Sequence, residues 1–67
     1  MIMNDQELAG TKERIAYFQR LLEQMRVRAN REEFHAMASG YRAEIERMQR
    51  DVLEYLTRHV TDTVEIQ

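Results

Sequence analysis

Glu32 and His35 form the pair of residues in this sequence that comes closest to a metal-binding motif. Glu-x-x-His on a helix is the ligand spacing of di-iron sites in helical bundles, and a dimer would supply two such pairs. A complete site also needs two further inward-facing carboxylates, and the apolar stripe of the preceding helix carries none. We therefore interpret the pair as part of a helix cap that faces water, and predict no metal and no cofactor.

His59 is the second candidate, as a catalytic base. The helical pattern places no serine, aspartate or second histidine to form a relay with it. We interpret it as a partly exposed packing residue. Because the chain has no cysteine, it has neither a disulfide framework nor a thiolate metal site. We predict no catalytic residue and no enzymatic activity.

Arginine supplies nine of the ten basic residues. Arg26, Arg28 and Arg31 cluster near a predicted turn, where they could contact phosphate or an acidic partner. The net charge of −2 gives no general attraction for nucleic acid, and no recognition helix is evident. We expect a solvated face, without nucleic-acid binding by this chain alone.

The elements that position these residues are predicted by two apolar stripes. Apolar residues recur at alternating steps of three and four, which aligns them on one side of a helix. Each stripe follows an asparagine with a glutamate three residues later, Asn4–Glu7 and Asn30–Glu33, the spacing of a capping box. The first stripe is Leu8, Thr11, Ile15, Phe18, Leu22, Met25 and Ala29; the second is Phe34, Ala38, Tyr41, Ile45, Met48, Val52, Tyr55 and His59.

These stripes predict an all-α fold, an antiparallel two-helix hairpin in a single domain, 1–67. We expect helix 1 over about 4–29 and helix 2 over about 31–60. A connection this short makes the helices antiparallel neighbours, with paired residue numbers that sum to about 60. The tail, 61–67, loses the helical period; it is either flexible or a short strand that adds to a partner's sheet.

Two details of the hairpin stay open at this stage. The turn contains no proline or glycine, so one uninterrupted helix is the competing interpretation, although the five-residue step from Ala29 to Phe34 favours a turn. At the N-terminus, Met3 and Leu8 occupy the positions of a hydrophobic staple, and Glu7 is expected to reach back to the Asn4 amide.

A second set of apolar residues flanks the stripes and indicates helices that are buried on two sides. A lone hairpin of this length shares only one seam, which leaves half of each helix in water and supplies too little core. We therefore predict a homodimer that forms a four-helix bundle; scattered surface hydrophobes are the alternative. The predicted interface residues are Tyr17, Leu21, Leu53, Leu56 and Val60, with Met37 further along.

Two segments, TKERIAYF at 11–18 and EIERMQRDVLEYL at 44–56, resemble the helical hairpin of small bacterial antitoxin-type proteins. In that group, which is similar to the Xre-family antitoxins, the hairpin precedes a helix-turn-helix DNA-binding domain. No helix-turn-helix follows Val60 here. The resemblance therefore implies a dimerisation or toxin-contacting module without its DNA reader.

The function predicted from the sequence is a non-enzymatic interaction or assembly module that binds a second copy of itself. The alternative is an antitoxin-like regulator that binds a toxin partner. The chain shows no signal peptide and no long apolar run, so we expect a cytoplasmic protein with no membrane partner.

Overall fold

The computed structural model describes residues 1–59, which form two α-helices joined by a tight turn. Helix α1 is Asp5–Arg28 and helix α2 is Arg31–Leu56, and the two pack against each other. The described residues contain no strand. The predicted all-α hairpin is confirmed, and the uninterrupted helix was wrong. The tail, 61–67, lies outside the described residues.

Both helices begin at the predicted asparagine caps. The side chain of Asn4 accepts a hydrogen bond from the Glu7 amide at 2.8 Å, and Asn30 accepts from the Glu33 amide at 2.8 Å. Each bond satisfies one of the amide groups that the first turn of a helix leaves without a partner. At the turn, Ala29 and Asn30 both have extended backbone conformations, which reverse the chain without glycine or proline.

Helix α2 ends at Leu56, earlier than the predicted end near residue 60. The Thr57 hydroxyl donates to the Leu53 carbonyl at 2.7 Å, and the Thr57 amide donates to the same oxygen at 3.0 Å. The Arg58 amide then donates to the Tyr55 carbonyl at 3.3 Å. This bond spans three residues, as in a 3₁₀-helix, so the last turn is tighter than a turn of an α-helix. These bonds satisfy carbonyls that a helix end leaves open, so the helix stops at a β-branched residue that caps it with its own side chain.

The N-terminal segment differs from the predicted staple. Met3 is 68% exposed, whereas Ile2 is only 6% exposed. The Glu7 carboxylate accepts from the Met3 amide at 2.7 Å instead of the Asn4 amide. Ile2 lines a hollow together with Met48 of α2, so the segment folds across the seam and contributes a core residue that the sequence pattern did not reveal.

The seam, meaning the residues of the two stripes, lies between the helices as predicted. Every stripe residue from Leu8 to Tyr55 is buried or half-buried, and only His59 is exposed. The antiparallel register follows from two contacts: the rings of Phe18 and Tyr41 are 5.4 Å apart, and the Tyr55 hydroxyl donates to Asp5 at 2.6 Å.

The core of this hairpin is small. Among the described residues, only Ile2, Ile45 and Met48 are buried, with exposed fractions between 4% and 8%. Helix α1 has no fully buried residue. Most seam residues are thus covered on the side of the opposite helix and remain in contact with solvent on another.

Candidate interaction surfaces

The residues with potential chemistry are exposed. Glu32 lies in the first turn of α2, and the His35 ring meets the Phe34 ring edge-on at 5.7 Å. Within residues 1–59, no three histidine, aspartate or glutamate side chains are grouped so that they could hold a metal ion. His59 is exposed beyond the end of α2.

The arginines at the turn have a structural role. Arg26 and Arg28 lie in the last turn of α1, and Glu32 and Glu33 lie in the first turn of α2. A cation at a helix C-terminus and an anion at a helix N-terminus each stabilise the helix by about 0.3–1 kcal/mol. The arrangement therefore accounts for these charges without a ligand.

Two broad faces lie on opposite sides of the seam. We call the first the groove face, because its residues line two recesses between the helices that share Gln49 as a lining residue. We call the second the ion-pair face, because charged residues of α2 pair there. The groove face consists of Lys12, Gln19, Arg26, His35, Ser39, Arg42, Glu46, Gln49 and Leu53. Leu56 belongs to the same face because it lies seven residues, or about two helical turns, after Gln49. The ion-pair face consists of Glu7, Gly10, Arg14, Glu44, Arg47, Asp51, Glu54 and Arg58.

The groove face is apolar at its base and polar at its edges. Near the turn, a groove of about 580 Å³ has its floor on seam residues. Ser39 and Ala38 are small, which creates the space between larger neighbours. Gln49 borders this groove and also a second recess of about 350 Å³, which is lined by Ile15, Val52 and Leu53. The floor residues of the first groove are Leu22, Phe34, Ala38 and Ile45.

The open end of the hairpin is the end away from the turn, where α1 begins and α2 ends. There the groove face carries two prominent leucines. Leu53 is 61% exposed and Leu56 is 55% exposed. They lie three residues apart on α2 and therefore form one ridge. A recess and an apolar ridge thus occupy the two ends of the same face.

The ion-pair face is more polar. Arg47 binds both carboxylate oxygens of Glu44, at 2.7 and 3.1 Å, and Arg58 binds Glu54 at 3.0 Å. The hydrogen bond from Arg47 holds the pKa of Glu44 below its usual value. At the open end, the N-terminal amino group lies 3.7 Å from Asp51.

The structure does not bring the predicted interface residues together on one surface. Leu53 and Leu56 lie at the open end of the groove face. Tyr17 is seven residues from Gly10 and Leu21 is seven residues from Arg14, so both lie on the side of the ion-pair face, nearer the turn. Tyr17 is 52% exposed and Leu21 is half-buried. Val60 lies outside the described residues.

A simple signal in the sequence separates these two groups. Leu21 comes just before the seam residue Leu22, whereas Leu53 comes just after the seam residue Val52. In an antiparallel pair, residues that precede the corresponding seam position on one helix lie beside those that precede it on the other. Met37, which precedes Ala38, therefore belongs with Leu21 and not with Leu53.

Comparison with known protein families, with curated proteins and with solved structures finds no match to this chain. Among the described residues, neither helix has a stretch apolar enough to cross a membrane. The function is therefore inferred from the two faces.

Proposed function

We propose that this chain is a non-enzymatic assembly module in which two hairpins associate into a four-helix bundle. The observation that carries the proposal is the contrast between a core of three buried side chains and large apolar side chains left exposed. Leu53, Leu56 and Tyr17 are each more than half exposed, although all three lie on well-formed helices.

The small core limits the stability of a single hairpin. Most of the stability of a protein helix comes from the packing of its apolar side. A chain of this size on its own buries only a modest share of its surface. A second hairpin that covered one broad face would enclose seam residues such as Ile15 and Val52, and would supply the burial that one copy lacks.

The first test is solution mass by light scattering, together with thermal melts over a wide range of protein concentration. The proposal expects a dimer whose melting temperature rises with concentration, because association stabilises the folded state by mass action. A well-folded monomer with a concentration-independent melting temperature would contradict it.

A double substitution sharpens this test. Leu53→Glu with Leu56→Glu places two charges on the exposed apolar ridge, and we expect monomers or unfolded chains. The matched control is Ala36→Glu with Ala43→Glu, which adds the same charge at exposed positions of α2 outside the groove face. An unchanged oligomer in the Leu53/Leu56 variant would rule out the ridge as an interface.

An antitoxin-like regulator is the second candidate, and the small core supports it as well, because a different protein could supply the missing burial. The discriminating result is a poorly folded monomer that becomes helical only when a partner is added. A reading frame for a small basic protein beside this one would identify the partner to test by co-expression.

A further inference from the structure

We infer that the second copy docks on the groove face in an antiparallel orientation, so that the leucine ridge of each copy enters the groove of the other. This inference depends on the proposed self-association and adds the face and the orientation. It assigns Leu53 and Leu56 to the interface, and leaves Tyr17 and Leu21 outside it.

The groove face carries both of the complementary shapes. The groove around Ser39 and the ridge at Leu53 are fourteen residues apart on α2, or about 21 Å along the helix. Two copies that share a two-fold axis bury the same patch on both, so a recess must meet a protrusion twice. This happens when the axis crosses α2 midway between them, near Glu46, and the turn of one copy lies beside the open end of the other.

This register creates compatible contacts between the two copies. It places Leu53 opposite Ser39 of the other copy, where the side chain is small, and Leu56 within one residue of the position opposite His35. Arg42 comes opposite Gln49, whose amide oxygen can accept from the guanidinium.

The charges at the axis are compatible with this register. The two Glu46 carboxylates approach each other there. Each is already paired with its own Arg42 at 3.3 Å, so the like charges are offset by two cations.

The area of the groove face also bears on how the second copy docks. A stable interface buries about 800 Å² on each partner. One face of the hairpin is about 39 Å long, from the 26 residues of α2, and about 20 Å wide across two helices, so it offers close to that area only when covered end to end. The antiparallel arrangement covers the full length, whereas a contact between the ridges alone would not.

The ion-pair face is the poorer candidate for a second copy. Covering it would remove water from two pairs, Glu44–Arg47 and Glu54–Arg58, and the attraction within such pairs often fails to repay that cost. The groove face carries one such pair, Arg42–Glu46, and so incurs this cost once. Ile2 already closes the seam on this side.

Because the chain contains no cysteine, single cysteines can report the register directly. The variants are Glu46→Cys, Ser39→Cys, Leu53→Cys and, as the control on the opposite face, Arg47→Cys. All four sites are exposed, so the fold should tolerate them. Each protein is checked for dimer formation by light scattering and then oxidised gently, and the disulfide-linked dimers are quantified by non-reducing gel and mass spectrometry.

The expected pattern is specific. Glu46→Cys alone forms a linked dimer, because the two-fold axis brings the two cysteines together. Ser39→Cys and Leu53→Cys form linked dimers when mixed, and each forms few alone. Arg47→Cys, one residue from Glu46, forms few.

Other patterns would overturn the inference. Linked dimers of Arg47→Cys without those of Glu46→Cys would place the second copy on the ion-pair face. Efficient linking of Ser39→Cys to itself would bring the two turns together, which requires a parallel arrangement. A monomer by light scattering would remove the proposed function as well, whereas a dimer with the wrong cross-links would overturn only the register.

Discussion

The two faces of the hairpin differ in how their seam residues are covered. On the ion-pair face, the N-terminal segment crosses the seam, Ile2 is buried, and Arg47 and Arg58 pair with acidic neighbours on α2. On the groove face, no further segment of the described chain covers the seam, and Ile15 and Val52 line an open recess. Within residues 1–59, the chain itself covers the seam on the ion-pair face and leaves the seam open on the groove face.

The difference between the faces lies at the end of the hairpin away from the turn. A short segment of a few residues suffices to close one side of a two-helix seam at its open end. At the same end of the groove face, no described segment covers the seam, and the side chains of Leu53 and Leu56 are exposed. The described residues thus cover one side of the seam, and the proposed association would cover the other.

The largest effect on the folded chain should come from Ile2→Asp. Burial of an aliphatic side chain stabilises the fold by about 1.5–3 kcal/mol, and the aspartate would add the cost of burying a charge. We expect a loss of about 2–3 kcal/mol in the free energy of unfolding, measured by urea denaturation at constant protein concentration.

Met3→Asp is the control for this prediction, since Met3 follows Ile2 directly in the sequence but its side chain is 68% exposed. We expect it to be close to neutral. If both variants lost the same stability, repulsion between the added aspartate and the acidic residues of the first turn, Asp5 and Glu7, would account for the loss, and the closure of the ion-pair face by Ile2 would be wrong.

A gain in stability is expected at the two glycines of the ion-pair side. Gly10 and Gly40 are helical, and a methyl group at either position would meet no atom within 4 Å. Glycine inside a helix costs about 0.5–1 kcal/mol relative to alanine. Gly10→Ala and Gly40→Ala should each raise the free energy of unfolding by about that amount, without changing the oligomer.

The oligomer is the informative readout for these glycine variants. If a second copy packed closely on this side, an added methyl group would obstruct it. A fall in the dissociation temperature, or a shift to monomer by light scattering, would then accompany Gly40→Ala. That result would move the interface from the groove face to the opposite side.

The sequence predicts the hairpin because its signals are local. The stripes and the caps at Asn4 and Asn30 act within one helix turn, and the antiparallel register follows from the short connection. The burial of Ile2 depends on a contact between the N-terminus and Met48, far apart in the chain, so no period reveals it.

The candidate surface was harder to predict for a related reason. The flanking residues form one predicted interface because they recur at helical spacing beside the seam, and this spacing does not say on which side of the seam each residue lies. Leu21 and Leu53 then look alike, although the fold puts them on opposite faces. The direction is present in the sequence, but it acquires meaning only after the helices are known to be antiparallel.

The smallest expected effect is a pH dependence of stability at the open end, where Tyr55 of α2 contacts Asp5 of α1. The Tyr55 hydroxyl donates to Asp5, and this hydrogen bond raises the pKa of Tyr55, with a smaller contribution from burial. Because the folded-state pKa lies above the ordinary value of about 10, the neutral phenol stabilises the fold below pH 10. That contribution is lost as the pH rises through the raised pKa.

The prediction is tested by titrating the Tyr55 ring by NMR in the parent chain and in Asp5→Asn. Asparagine keeps the size of the side chain and a carbonyl acceptor but removes the negative charge that favours the neutral phenol. The pKa of Tyr55 should therefore move back toward its ordinary value in the variant. An identical titration in both proteins would mean that α1 and α2 are not held together at this end. The ridge at Leu53 and Leu56 would then lack the fixed position that docking into a groove requires, since both leucines flank Tyr55 on α2.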